Sequence, residues 1–152
     1  MSNIEITSYK NRLDNLFSLV SNIQEIELRS HWSRYLCVLV AGFVEISIQA
    51  IFCDYARRCS SPHVSNYVNS KLKKFTNPNM EDIIQLAGTF DSKWREKLEQ
   101  GSQGELKDAV DSVMANRNKI AHGENVGITY TRIKGYYNSI LKLISLLELN
   151  CV

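Results

Sequence analysis

The sequence predicts an all-α fold, an up-and-down helical bundle of four long helices with short helices in the middle of the chain. Three observations predict it. Apolar residues recur at spacings of three and four along most of the chain. No stretch alternates apolar and polar residues as a half-buried strand would. Ser, Asn, Pro and Gly stand where such helices should begin and end.

Taken in order, Tyr9, Leu13, Leu16, Phe17, Val20 and Ile23 make the apolar face of a first amphipathic helix. A second, from about Ser30 to Cys59, is apolar nearly all round. Its Tyr35–Cys53 stretch, YLCVLVAGFVEISIQAIFC, approaches the length of a bilayer span. It carries Glu45, Ser47 and Gln49, however, and a carboxylate at bilayer depth is costly. The expectation is a central helix covered by its neighbours, with no membrane partner.

Ser61-Pro62 ends that helix, with Ser as the next N-cap and Pro at the first helical position. A short helix from His63 to Phe75 stops at the polar turn Thr76-Asn77-Pro78-Asn79. Asn79 with Asp82 marks another start, covering Ile83, Ile84 and Leu86. A further short helix, about Ser92–Gln100, carries Trp94 and Leu98 and stops at Gly101. Ser102-Gln103-Gly104-Glu105 has the spacing of a capping box and opens a helix to about Ala121, with Gly123 as its C-terminal cap. The last helix begins near Thr129 and puts Ile133, Tyr136, Tyr137, Ile140, Ile144 and Leu147 on one face.

At 152 residues the chain is one domain's worth, expected to span 1–152 with no linker or low-complexity stretch. A formal charge of +2 supplies no long-range attraction for nucleic acid, so any such contact must rest on a local site. Cys37, Cys53, Cys59 and Cys151 lie far apart without a C-x-x-C, which reads as reduced packing residues rather than a disulfide frame or zinc site. The first residues lack a positive region followed by an apolar one, so no secretory signal is expected and a cytoplasmic location is.

Chemistry concentrates near the end of the helix that opens at Ser102. Leu106, Val110, Val113, Arg117 and Ile120 step along one stripe, so Arg117 stands where periodicity calls for an apolar residue. A guanidinium keeps its charge and is costly to bury unpaired. Glu45 poses the mirror problem inside the most apolar helix. The simplest joint solution pairs Arg117 with Glu45 beneath a site; the plainer one is a buried ion pair that merely sets helix register.

His122 follows, at the carbonyl end of the helix and just before Gly123. That helix end favours the imidazolium and the neighbouring guanidinium favours the neutral ring, so the opposing pushes suit a group that takes and gives a proton. A histidine there also serves as a simple cap. Arg58 and His63 repeat the Arg-to-His spacing, but Ser61-Pro62 separates them onto two helices, leaving Arg57 and Arg58 as solvated charges at a helix end. Lys71, Lys73 and Lys74 read as a solvated face rather than an RNA-guiding patch.

Arg117-Asn118-Lys119-Ile120-Ala121-His122-Gly123 resembles the R-N-x-x-x-H motif of the HEPN superfamily, on the penultimate long helix as in that family. The surroundings are similar to a bacterial branch called RiboL-PSP-HEPN: His31-Trp32-Ser33-Arg34 opens the second helix, Gly42-Phe43-Val44-Glu45 lies within it, and Tyr136-Tyr137 lies in the last. The resemblance implies a homodimer whose two motifs meet in a composite active site. It also implies a metal-independent endoribonuclease, with no cofactor, in which the RNA 2′-hydroxyl attacks the adjacent phosphate to leave a 2′,3′-cyclic phosphate. By the same resemblance His122 is the general base or acid, Arg117 stabilises the phosphate's extra charge, Asn118 orients the phosphate or the histidine, and Glu45 holds Arg117.

That reading makes the chain the toxin or effector of a bacterial toxin–antitoxin or antiphage system, restrained by an antitoxin or another regulatory chain. The alternatives are a HEPN dimer that binds RNA or protein without cutting, and a purely structural bundle. Tyr130, Tyr136 and Tyr137 are candidates for base stacking or modification, and a modified tyrosine in HEPN toxins lies closer to the histidine than Tyr130 does here.

Overall fold

Among residues 3–152, which the computed structural model describes, the chain forms seven helices and no strand. Helix α1 (Ile4–Ser21) starts where the Asn3 side chain accepts the Glu5 N–H at 2.9 Å, and buries Ile6, Leu13, Phe17 and Val20 along one stripe. Helix α2 (Ile26–Cys59) begins a turn earlier than its apolar run, without a side-chain cap. Helix α3 (Pro62–Leu72) takes Ser61 as its N-cap, with Pro62 in the first turn. Helix α4 (Met80–Phe90) has a full capping box between Asn79 and Asp82, two backbone donors satisfied reciprocally.

The next two helices keep close to the expected spans, but the second starts on a different cap. Helix α5 (Ser92–Gly101) closes on Ser102, whose N–H donates to the Leu98 carbonyl at 2.9 Å. Helix α6 (Glu105–Ala121) then starts from Gly104 at φ 76°, in the left-handed region that favours glycine. The capping box expected at Ser102 and Glu105 therefore does not form. Glu105 turns instead toward the last helix, α7 (Tyr130–Asn150), and accepts Ser139 Oγ at 2.7 Å and Lys142 Nζ at 3.5 Å.

Helices α1, α2, α6 and α7 make the bundle. Tyr9 of α1 packs on Phe43 of α2, and Phe17 of α1 stacks on Tyr137 of α7. Helix α2 packs against α1, α3, α6 and α7. By length and composition α2 would also pass for a membrane-crossing helix, yet Leu36, Val40, Phe43, Val44, Ile48 and Phe52 are buried among those four neighbours. Phe52 and Tyr55 of α2 gather with Phe90 of α4 and Trp94 of α5 into an aromatic cluster with centroids 4.8–6.1 Å apart.

Candidate functional site

The end of α6 is built by its last carbonyls and one glycine. Gly123, at φ 78°, lets its N–H reach the Ile120 carbonyl at 3.1 Å while the Glu124 N–H reaches the Lys119 carbonyl at 2.9 Å. This double closure is a Schellman motif, and it ends the helix sharply with His122 as C-cap. His122 and Asn118 are exposed, one turn apart on the same side of the helix, and Arg117 is partly exposed. Arg117 Nη1 donates to Asn118 Oδ1 at 3.2 Å, which aligns the guanidinium with the amide. All three motif side chains thus stand at one water-facing helix end.

The expected pairing of Arg117 with Glu45 is not formed. Glu45 Oε2 accepts the Asn77 N–H at 2.8 Å, and among the described residues Arg117 makes no ion pair. The reason is axial position. Just past the α3–α4 turn, Met80 at the start of α4 donates its N–H to Asp111 at 2.9 Å, so the turn that Glu45 faces adjoins the middle of α6. Arg117 lies beyond Asp111 by about 9 Å along the helix axis. The stripe itself continues, with Val110 and Val113 buried and Ile120 packed on the core, but Arg117 is partly exposed, so its charge reaches water without an internal partner.

The residues around that end come from the start of α2 and from the segment joining α6 to α7. Arg34 Nη1 donates to Ser30 Oγ at 3.2 Å and to the Val126 carbonyl at 3.5 Å, which ties α2 to the segment after the motif. Its Nη2 donates to His31 Nδ1 at 2.5 Å, so that nitrogen is an acceptor. Arg29 lies over the Tyr130 ring at 4.8 Å. Arg34 and His31 entered the sequence reading only as part of a family-like string; the tie from Arg34 to the 123–129 segment needed the fold to be seen.

A cleft of about 440 Å³ opens between α6, that segment and α7, lined by Asn116, Lys119, Glu124, Asn125, Arg132 and Tyr136 over the buried Val126 and Ile128. The sequence reading missed it, since Lys119 sits at a variable position of the motif and Arg132 carries no pattern. Of the three tyrosines, Tyr130 and Tyr137 serve packing: Tyr130 donates to the Phe17 carbonyl at 3.0 Å, and buried Tyr137 donates to Asp14 Oδ1 at 2.7 Å. Tyr136 alone of the three lines the cleft.

The competing Arg58–His63 spacing is split as expected. Arg57 and Arg58 both pair with Asp54 at the end of α2, and exposed His63 lies in the first turn of α3. Lys71, Lys73 and Lys74 are exposed, with Lys71 over the Tyr67 ring at 5.4 Å. Among the described residues, no group of three His, Cys, Asp or Glu is placed to hold a metal ion.

Set against known proteins, a family model described as RiboL-PSP-HEPN matches residues 5–150. No curated protein and no solved structure matches the chain.

Proposed function

The chain belongs to the RiboL-PSP-HEPN family, and from that premise we propose that it is an endoribonuclease working through Arg117, Asn118 and His122. One observation carries the reading: Arg117 is tied to Asn118, His122 caps the same helix, and all three face water at one end of the bundle. A buried ion pair would have locked the guanidinium away from a ligand; held only by the Asn118 amide, the fork has donors left to meet phosphate oxygens.

In this mechanism an imidazole takes the proton of the RNA 2′-hydroxyl as that oxygen attacks the adjacent phosphorus. The phosphorus–O5′ bond breaks, a second imidazole returns a proton to the departing oxygen, and a 2′,3′-cyclic phosphate remains. His122 from each of two copies supplies both imidazoles, consistent with the family's composite site. Arg117 stabilises the charge that grows on the phosphorus oxygens, and Asn118 holds the guanidinium in line. Glu45 has no part in this scheme. The effector role, with a second chain restraining the activity, rests on the family premise alone.

The test incubates purified protein with structured and unstructured RNA in EDTA, beside His122→Ala and Arg117→Ala. Cleavage that survives EDTA, ends in a cyclic phosphate and falls at least about 100-fold in each variant supports the reading. Equal cleavage by wild type and both variants would sink it. RNA binding without cutting identifies a non-catalytic module instead.

A further inference from the structure

We propose that the cleft between α6 and α7 is a nucleotide subsite, holding one base and phosphate of single-stranded RNA beside the cutting site. The inference rests on the ribonuclease reading and deepens it by placing the substrate. The cleft's size, about 440 Å³, falls inside the range of small-ligand sites. Its chemistry is that of a nucleotide. Lys119 and Arg132 are exposed cations from two different helices, and among the described residues neither forms an ion pair. Tyr136, partly buried, offers an aromatic face on which a base stacks. Asn116 and Asn125 supply amides that donate to and accept from base edges, and the Glu124 carboxylate accepts from a ribose hydroxyl or a base amino group.

The cleft meets the motif segment at Lys119. The Lys119 carbonyl accepts the Glu124 N–H, so the Schellman closure that presents His122 also forms the rim of the cleft. Lys119 and His122 are three residues apart on α6, neighbours on one face of the helix. A nucleotide seated on Lys119 therefore brings the next phosphate of its strand toward His122.

Charge also separates this cleft from its neighbour. A second cleft shares Thr129, Arg132 and Tyr136 with the first and continues toward Glu105 and Asp108. The first cleft sets Lys119 and Arg132 against Glu124, whereas the second sets Arg132 against Glu105 and Asp108, so a phosphate backbone favours the first, beside the helix end where the motif stands.

The experiment measures binding of a labelled single-stranded RNA to protein carrying His122→Ala, alone and with Arg132→Ala, Lys119→Ala, Tyr136→Leu or Tyr136→Phe added. Cleavage kinetics are measured for the same four substitutions in the wild-type background. Expected are roughly tenfold losses in affinity for Arg132→Ala, Lys119→Ala and Tyr136→Leu, with retention in Tyr136→Phe. In cleavage, KM rises with kcat nearly unchanged. Lys97→Ala, an exposed cation on α5, should leave both quantities alone, and melting curves identify any variant that fails to fold. If wild type cuts RNA but Arg132→Ala and Lys119→Ala move neither affinity nor KM, the subsite is overturned and the ribonuclease stands. Losses as large in Lys97→Ala overturn it equally, because they indicate diffuse attraction. If nothing is cut but the cleft variants still lose affinity, the subsite stands and the cleavage reading falls.

Discussion

The Glu45 carboxylate accepts the Asn77 N–H at 2.8 Å, so the acid in the most apolar helix braces a turn and not Arg117. Asn77 sits at φ 49°, in the left-handed region that Asn tolerates better than most side chains, and the carboxylate satisfies its N–H there. Glu45→Ala should lower unfolding free energy by about 1–2 kcal/mol, and Glu45→Gln, which keeps an acceptor, by less. Because Arg117 stands elsewhere, Glu45→Ala and Arg117→Ala should add within about 0.5 kcal/mol in urea denaturation. Strong coupling between them would contradict this arrangement.

Asp14 and Tyr137 make stability respond to pH from both sides. Burial pushes the Asp14 carboxyl up, but hydrogen bonds from Lys10 and Tyr137 and the charges of Lys10 and Lys134 outweigh it and hold it below the usual range. A carboxyl lowered by folding stabilises above its unfolded value, about 4, and loses that contribution as pH falls through the folded one. Burial first, then Asp14, pushes the Tyr137 phenol above its ordinary value. Its contribution is complete below about pH 10 and is lost as pH rises further. Urea midpoints across pH should therefore fall at both ends, with Asp14→Asn flattening the acid limb and Tyr137→Phe the alkaline one.

Gly123→Ala isolates a backbone cost. A Cβ there meets nothing within 4 Å, so the penalty comes only from holding an L residue at φ 78°. About 1 kcal/mol of stability should be lost, measured by denaturant unfolding. Cleavage should fall further than stability, because the same closure sets His122 and the rim of the cleft; an unchanged kcat/KM would argue against that link.

Thiol labelling should sort the four cysteines by burial. Cys59 is exposed, whereas burial pushes the Cys37 and Cys151 thiols up to about 12 and raises that of half-buried Cys53. At mildly alkaline pH a thiol reagent should react fast with Cys59, slowly with Cys53, and with Cys37 and Cys151 only as the protein unfolds. Cys59→Ser should remove the fast phase.

Most of the helices were legible because each end carries its own local chemistry. Ser61-Pro62, Asn79 with Asp82, Thr129 and Gly123 all act where their spacing places them. Ser102 misled for the same local reason: its hydroxyl had the right spacing to Glu105, but Gly104 at positive φ turns the chain between them. The stripe on α6 was read correctly at Val110, Val113 and Ile120 but not at Arg117, since periodicity places a backbone position and not the charged end of a long side chain, which here reaches water.

The sequence by itself determined the all-α class, the caps and the composition of the motif, because these depend on residues within one or two turns of each other. It also carried the family signature that runs through most of the chain. The tertiary structure decided which side chains meet across helices. It sent Glu45 to Asn77, tied Arg34 to the Val126 carbonyl, and brought Lys119 and Arg132 to one cleft. Those contacts depend on the axial offset between packed helices, a distance set by the whole core that no local spacing encodes.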